Sequence, residues 1–245
     1  MNKYILAIET SSNYLGVGLF QFEIDNDTNN GLSNITNIEK KSTVNHYINN
    51  VHDKYLAATV SEILEINELK VSDLSAVAVS SGPGSFTGLR IGVSFAKALC
   101  FEDGVTPSPK LISVSTLKVL VYEFIKLYYK IIHFENKTIQ VFLKSHKNIY
   151  YTQKFKIEAS DINYNIIEFG EIELLEVLHK YEQVEIDFII SNSIDLLELV
   201  DNLEIVNLNI DSVAMLGIEK YCVSNFEDAG SFVPQYSQDF QIKVV

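Results

Sequence analysis

The chain has no tryptophan, and only two cysteines, four prolines and two methionines in 245 residues. Cys100 and Cys222 stand far apart, which excludes a disulfide framework and a zinc knuckle and suits a reducing compartment. No apolar run approaches the ~18 residues that a bilayer-spanning helix needs, although mean hydropathy is slightly positive at +0.11. The opening Met1-Asn2-Lys3-Tyr4-Ile5-Leu6 meets Glu9 and the polar Thr10-Ser11-Ser12 within a few residues, unlike a secretory signal. The expectation is a cytoplasmic protein without a membrane partner.

Positive charge is also scarce: 19 basic against 32 acidic residues, a net of −13. So acidic a chain repels polyphosphates unless its cations are gathered. They are partly gathered, with eight basic and two acidic residues over 118–156 against three and 18 over 157–245. Aromatics such as Tyr122, Tyr129, Phe142 and Tyr150 are interleaved with the basic segment. A nucleic-acid-facing patch is one reading. The plainer one, amphipathic elements with lysines on their wet side, is preferred.

Strands are expected at Tyr4–Ile8, Leu15–Phe22 and Ile35–Thr43, with an Asn/Asp-rich hairpin loop over Asp25 to Gly31. Leu56, Val60, Ile63 and Leu64 recur at helical spacing on a helix from about Val51 to Ile66. Ala76–Val79 reads as a buried strand, Ser85 to about Phe101 as a helix, and Leu111–Val114 as a strand. Beyond these come a helix over 116–130, strands over 139–143, 149–157 and 166–169, and a helix over 171–181. A strand over 186–190, a helix over 195–199, a strand over 205–208 and a helix over 211–221 complete the series. Two βββαβα units in tandem imply an α/β fold of mixed sheets covered by helices. The expected division is an N-terminal subdomain 1–114, a C-terminal subdomain 115–227, and a tail 228–245 packed back on the body.

The most informative segment is Ser80-Ser81-Gly82-Pro83-Gly84-Ser85-Phe86-Thr87-Gly88-Leu89-Arg90-Ile91-Gly92-Val93. Gly82 and Gly84 permit a sharp turn, Pro83 stiffens it, and Ser85 is a natural N-cap. Gly88, Gly92 and Ala96 form one ridge with almost no side chain. Each interior glycine costs a helix about 0.8–1 kcal/mol relative to alanine, so close approach of another backbone is expected, from this chain's sheet or a partner's helix. The segment is neither a dinucleotide-binding fingerprint nor a P-loop, since the glycine spacing is one residue too long and Gly-Lys-Ser/Thr is missing.

This segment resembles the Gly-Pro-Gly-Ser-Phe-Thr-Gly-Leu-Arg-Ile-Gly signature of the TsaB (YeaZ) family. Ile5-Leu6-Ala7-Ile8-Glu9-Thr10-Ser11 is similar to that family's first strand, where the acid is usually Asp. His52 and Leu56 resemble its His-Ser-x-x-Leu-Leu helix start, and Phe232-Val233-Pro234-Gln235-Tyr236 its closing Pro-x-Tyr. The likeness is specific over residues 3–114 and weak beyond. It implies the duplicated actin/Hsp70-like (ribonuclease H-like) fold. It also implies a role in making N6-threonylcarbamoyladenosine beside the tRNA anticodon, as a non-catalytic scaffold that activates a TsaD-like subunit, alongside a TsaE-like ATPase. Contact with tRNA would then be indirect, and a homodimer would form when the partner is absent. One departure stands out. Where the family has an Asp-Ala-Arg-Arg-like stretch, this chain has Leu143-Lys144-Ser145-His146-Lys147-Asn148-Ile149-Tyr150, so that site is not carried over.

On this reading no catalytic, cofactor or metal residue is expected. Glu9 is the one acid placed on a first strand, with no matching Asp-x-Gly in the second half. His46 and His52 are six apart, the wrong spacing for a helical metal pair. Ser85 has no histidine nearby in sequence. Asp195, Glu198, Asp201 and Glu204 form an acidic row that reads by default as a solvated helix side. The expected partner interface is His52, Leu56, Gly88, Leu89, Arg90, Gly92, Val93 and Ala96, beside the turn Gly82, Pro83, Gly84 and Ser85. Two rivals are kept: a nucleotide-binding ATPase or phosphotransferase of the same fold, and a tRNA-binding module using the lysines of 118–156.

Overall fold

The structure, a computed structural model, describes residues 2–25, 34–47, 52–102, 104, 107–159, 164–181, 185–235 and 242–244. Most of the expected loop over 25–31 and Tyr236 of the closing motif lie outside these residues. The chain divides into two compact units, Met1–Ser115 with Asn209–Gln235, and Thr116–Leu208 with Tyr236–Val245.

In the first unit, β1 (Lys3–Glu9), β2 (Leu15–Asp25), β3 (Asn34–His46), β4 (Ala76–Gly82) and β5 (Lys110–Ser115) form one sheet in the order β3-β2-β1-β4-β5. β1 runs antiparallel to β2 and parallel to β4, pairing Leu6 with Val77 and Ile8 with Val79. Helices α1 (His52–Ile66), α2 (Phe86–Leu99) and α4 (Ile210–Cys222) cover this sheet. Leu6, Ile8, Val77 and Val79 pack with Leu56, Val60 and Val93 of α1 and α2. The alternate residues Ile5 and Ala78 meet Gly217 of α4. Both faces of β1 and β4 are thereby buried, which is why these strands read as continuous apolar runs rather than alternating ones.

The second unit carries a six-stranded sheet in the order β10-β9-β6-β7-β8-β11. Its strands are β6 (Thr138–His146), β7 (Ile149–Ala159), β8 (Tyr164–Glu176), β9 (Phe188–Ser191), β10 (Leu203–Ile205) and β11 (Ile242–Val244). β6, β7 and β8 form an antiparallel meander, and β9 lies parallel beside β6. Helix α3 (Thr116–Tyr128) packs on this sheet with Leu117, Leu120, Val121 and Phe124 buried.

Several expectations for the second half are corrected. The helix expected over 171–181 is absent: residues 171–176 continue β8, with Glu173–Glu176 paired to Ile149–Thr152 of β7. Glu-Ile-Glu-Leu-Leu-Glu suits either period, and the open edge of β7 decides for strand. The helix over 195–199 is only a 3-10 turn, Ile194–Leu196, and the strand expected over 205–208 lies at Leu203–Ile205. The helix at 210–222 belongs to the first unit, not to a subdomain 115–227, because its apolar face fills the side of the first sheet opposite α1 and α2. The expected tail is divided as well. Residues up to Gln235 join the first unit, where Gln235 N–H donates to Ser81 O at 2.9 Å, and Ile242–Val244 add a strand to the second.

Candidate functional site

β4 ends in Ser80-Ser81-Gly82, and the chain turns through a cis Gly82–Pro83 peptide into α2. Gly82 sits at φ +113°, a region that suits glycine. Ser85 caps the helix, its hydroxyl accepting from Gly88 N–H at 3.3 Å. The turn after β1 runs directly beneath, with Ser85 N–H donating to Ser11 O at 2.7 Å. A Cβ on Gly84 would collide with Ser11 O, one on Gly88 with Thr10 O, and one on Gly92 with Thr10 Oγ1. The bare ridge is therefore a seat for the chain's own backbone, and Ala96 extends it fully buried.

This corrects the expected interface, because seven of its eight residues face inward. Leu56, Leu89, Val93 and Ala96 are core residues. Gly88 and Gly92 are buried against Thr10, and His52 is buried with Nε2 at 3.3 Å from Tyr14 O. Only Arg90 is exposed, its guanidinium 5.3 Å from the centre of the Phe86 ring. The outward side of the same two helices presents Lys54, Ala57, Ala58, Ser61 and Glu62 from α1, and Phe86, Thr87, Arg90, Ser94 and Ala98 from α2. Ile91 and Phe95 are half-buried at its margin. That face is rich in small side chains, a signal hidden in the sequence because the glycines drew attention to the opposite side.

Glu9, at the end of β1, has no exposed surface. One carboxylate oxygen accepts from Ser11 N–H at 2.6 Å and Ser11 Oγ at 2.5 Å, and the other from the Ser80 hydroxyl. Burial pushes its carboxyl above the usual value, and the three donors act against that shift. Its function here is to clamp the ends of β1 and β4 together. Tyr14 was not legible in the sequence. Its hydroxyl donates to Asn45 Oδ1 at 2.6 Å and accepts from Ile210 N–H at 3.2 Å, tying the β1–β2 turn to the start of α4. Gly16 leaves room for its ring.

The remaining candidates are accounted for by the chain itself. Ser85 is engaged with its helix, and no group of three or more potential metal ligands occurs among the described residues. Several lysines of 118–156 meet acids: Lys126 meets Glu123 at 3.3 Å, Lys137 meets Asp187 at 2.8 Å, Lys156 meets Glu158 at 3.6 Å, and Lys144 meets Asp195. The acidic row is broken up too, with Asp201 bound to Lys180 at 2.8 Å and Glu204 accepting from Tyr128 at 3.2 Å.

The fold and this closed turn define an actin-like α/β protein built of two mixed-sheet units. YeaZ from Pseudomonas aeruginosa shares that fold over 96% of this chain and 99% of its own, with a TM-score of 0.70 and 16% identity. A second Pseudomonas aeruginosa structure, an uncharacterized protein with similarity to peptidase YEAZ, superposes with a TM-score of 0.69 and 17% identity.

In sequence, the chain resembles the TsaB (YeaZ) family and its TsaD relatives. The family model for TsaD, tRNA N6-adenosine threonylcarbamoyltransferase, matches residues 43–133. The tRNA threonylcarbamoyladenosine biosynthesis protein TsaB of Buchnera aphidicola is 29% identical over 120 residues, covering 49% of this chain and 46% of its own. A tRNA N6-adenosine threonylcarbamoyltransferase of Staphylococcus epidermidis is 36% identical over 101 residues, covering 41% of this chain and 30% of its own. The chain thus spans under half the length of these curated relatives. No helix among the described residues is long and apolar enough to cross a membrane.

Proposed function

We propose that this chain is a TsaB-type subunit of the tRNA N6-threonylcarbamoyladenosine machinery, a cytoplasmic scaffold that binds and activates a TsaD-type catalytic subunit. The observation that carries the non-catalytic reading is the packing of α2 on the turn after β1. Thr10 and Ser11 occupy the space between the first strand and the Gly82–Ser85 loop, and Glu9 is held by Ser11 and Ser80. A phosphate approaching the α2 N-terminus from that side would have to displace main chain, and the one acid there is fully engaged. The resemblance to relatives named for tRNA threonylcarbamoyl chemistry supports this pathway.

The docking surface proposed is the outward face of α1 and α2 around Ala57, Ala58, Ser61, Arg90 and Ser94. Small side chains allow a partner's helix to come close, and the Arg90 guanidinium offers a directional donor for a carboxylate. A TsaE-like ATPase joins the larger complex, and the same face makes a homodimer when TsaD is absent. Co-purification with the cognate TsaD-type protein tests this. Ala58→Arg and Arg90→Glu should abolish capture while leaving the melting temperature unchanged. Capture that survives both would remove the surface. Hydrolysis of ATP by the purified chain alone would favour the phosphotransferase reading instead.

A further inference from the structure

The segment that follows α4 returns across the first unit as a strap. Glu227 N–H donates to Leu111 O at 2.8 Å on the edge strand β5, and Ser113 Oγ donates to the Glu227 carboxylate at 2.5 Å. Asp228 then closes a tight turn. Its carboxylate accepts from Ser231 N–H and Oγ at 2.7 Å, while Phe232 N–H donates to Asp228 O at 2.9 Å. The turn aims two carbonyls at α2, where Lys97 Nζ donates to Phe232 O at 2.7 Å and to Gly230 O at 3.3 Å. Beyond it Gln235 N–H reaches Ser81 O at 2.9 Å.

The strap is built as a movable part rather than as core. Of residues 226–235 only Pro234 is buried, and Ala229 and Phe232 lie half-buried against the core cluster. Its other attachments are polar and partly exposed, which is the make-up of a segment that opens well below the free energy of global unfolding. Its far end nevertheless reaches a critical place. The Gln235 carbonyl stands 2.7 Å from where a Cβ on Gly82 would go, so the strap fills the gap that this glycine leaves at the start of the turn into α2. Ser81, which it grips, follows the Ser80 whose hydroxyl holds Glu9. The closed strap thus joins the β5 edge, α2 and the Gly82 turn, with one ammonium between two main-chain bonds.

We infer that residues 226–235 are a two-state strap, latched by Lys97, whose closed form braces the Gly82–Ser85 turn and keeps the start of α2 competent for docking. An ammonium suits the latch, because it meets two carbonyls at once from a flexible stem and its loss removes both bonds together. Its position between the two end bonds makes them interdependent, since losing the middle support frees the whole span. Phe86, Thr87 and Arg90 of the outward face lie in the first two turns of α2, directly after the braced turn. Opening the strap therefore lowers the population of the docking-competent form. This regulatory consequence rests on the docking reading of the α1–α2 face, whereas the opening of the strap does not.

Amide hydrogen exchange on the full chain tests the strap. In Lys97→Met, exchange at Glu227, Phe232 and Gln235 should quicken about tenfold or more. Ser85, whose amide donates to Ser11 O, should quicken with them, while the amides of α1 keep their rates. Gln235→Pro deletes only the terminal donor, yet should also quicken Glu227 at the opposite end. Acceleration confined to the residues beside each substitution, acceleration spread evenly over the first unit, or no change at all would overturn the strap. Affinity for the cognate TsaD-type protein should fall about threefold or more in Lys97→Met. Unchanged affinity in Lys97→Met alongside its loss in Arg90→Glu would overturn the regulation and leave the docking face standing. Unchanged affinity in both would overturn the docking face itself.

Discussion

The carbonyl oxygen of Thr10 occupies the place where a Cβ on Gly88 would have to go. One turn along α2, Thr10 Oγ1 stands in the same relation to Gly92. The turn after β1 thus meets the helix through main chain at Gly88 and through the Thr10 side chain at Gly92. The glycines' unfavourable helix propensity, about 0.8–1 kcal/mol each, is offset by a contact available to no other residue.

Alanine at Gly92 should lower stability despite its better propensity. Overpacking costs about 1–3 kcal/mol, more than the ~1 kcal/mol gained in the helix. Denaturant unfolding measures the difference. Thr10→Ala removes the obstructing side chain, so the double variant should recover much of the loss. Simple additivity of the two changes would contradict the contact.

Glu9→Gln should alter the pH dependence of stability in a definite direction. The folded carboxyl lies above its ordinary value of 4.5, so stability from the neutral form is present below that pH and lost as pH rises through the folded pKa. The glutamine variant lacks this loss. Its stability relative to the parent should therefore grow with pH from the acid side towards neutrality, as urea midpoints across that range would show. A constant difference would mean that Glu9 titrates normally.

Tyr14→Phe removes a hydroxyl that serves both Asn45 and the Ile210 amide. Leaving that amide unpaired costs about 1–3 kcal/mol. Faster hydrogen exchange at the start of α4 than in the rest of that helix is the expected signature.

The lysines of 118–156 should not give this chain a strong affinity for tRNA by itself, because Lys126, Lys137, Lys144 and Lys156 are paired with acids. Filter binding over a range of salt checks this. A steep loss of tight binding with added salt would show that the patch is open after all.

Much of the first unit was legible in the linear order of residues. Apolar runs marked β1 and β4, the Leu56–Val60–Ile63 stripe marked α1, and Gly-Pro-Gly-Ser marked the turn into α2. These signals are local, set by backbone freedom, capping and periodicity within a few residues. The second unit read less well. Residues 171–176 satisfy a helix and a strand equally, and only the partner strand at 149–152 settles which forms.

Residue order by itself determined the α/β class, the strand–turn–helix at 76–99, and the presence of a side-chain-free ridge that something had to fill. Tertiary structure alone decided what fills it. Chain segments distant in sequence converge there, Thr10 on Gly88 and Gly92, and Gln235 on Ser81, and no local pattern encodes such a meeting. The same convergence turned the expected interface residues inward, carried α4 back to the first sheet, and left the small side chains of α1 and α2 facing outward.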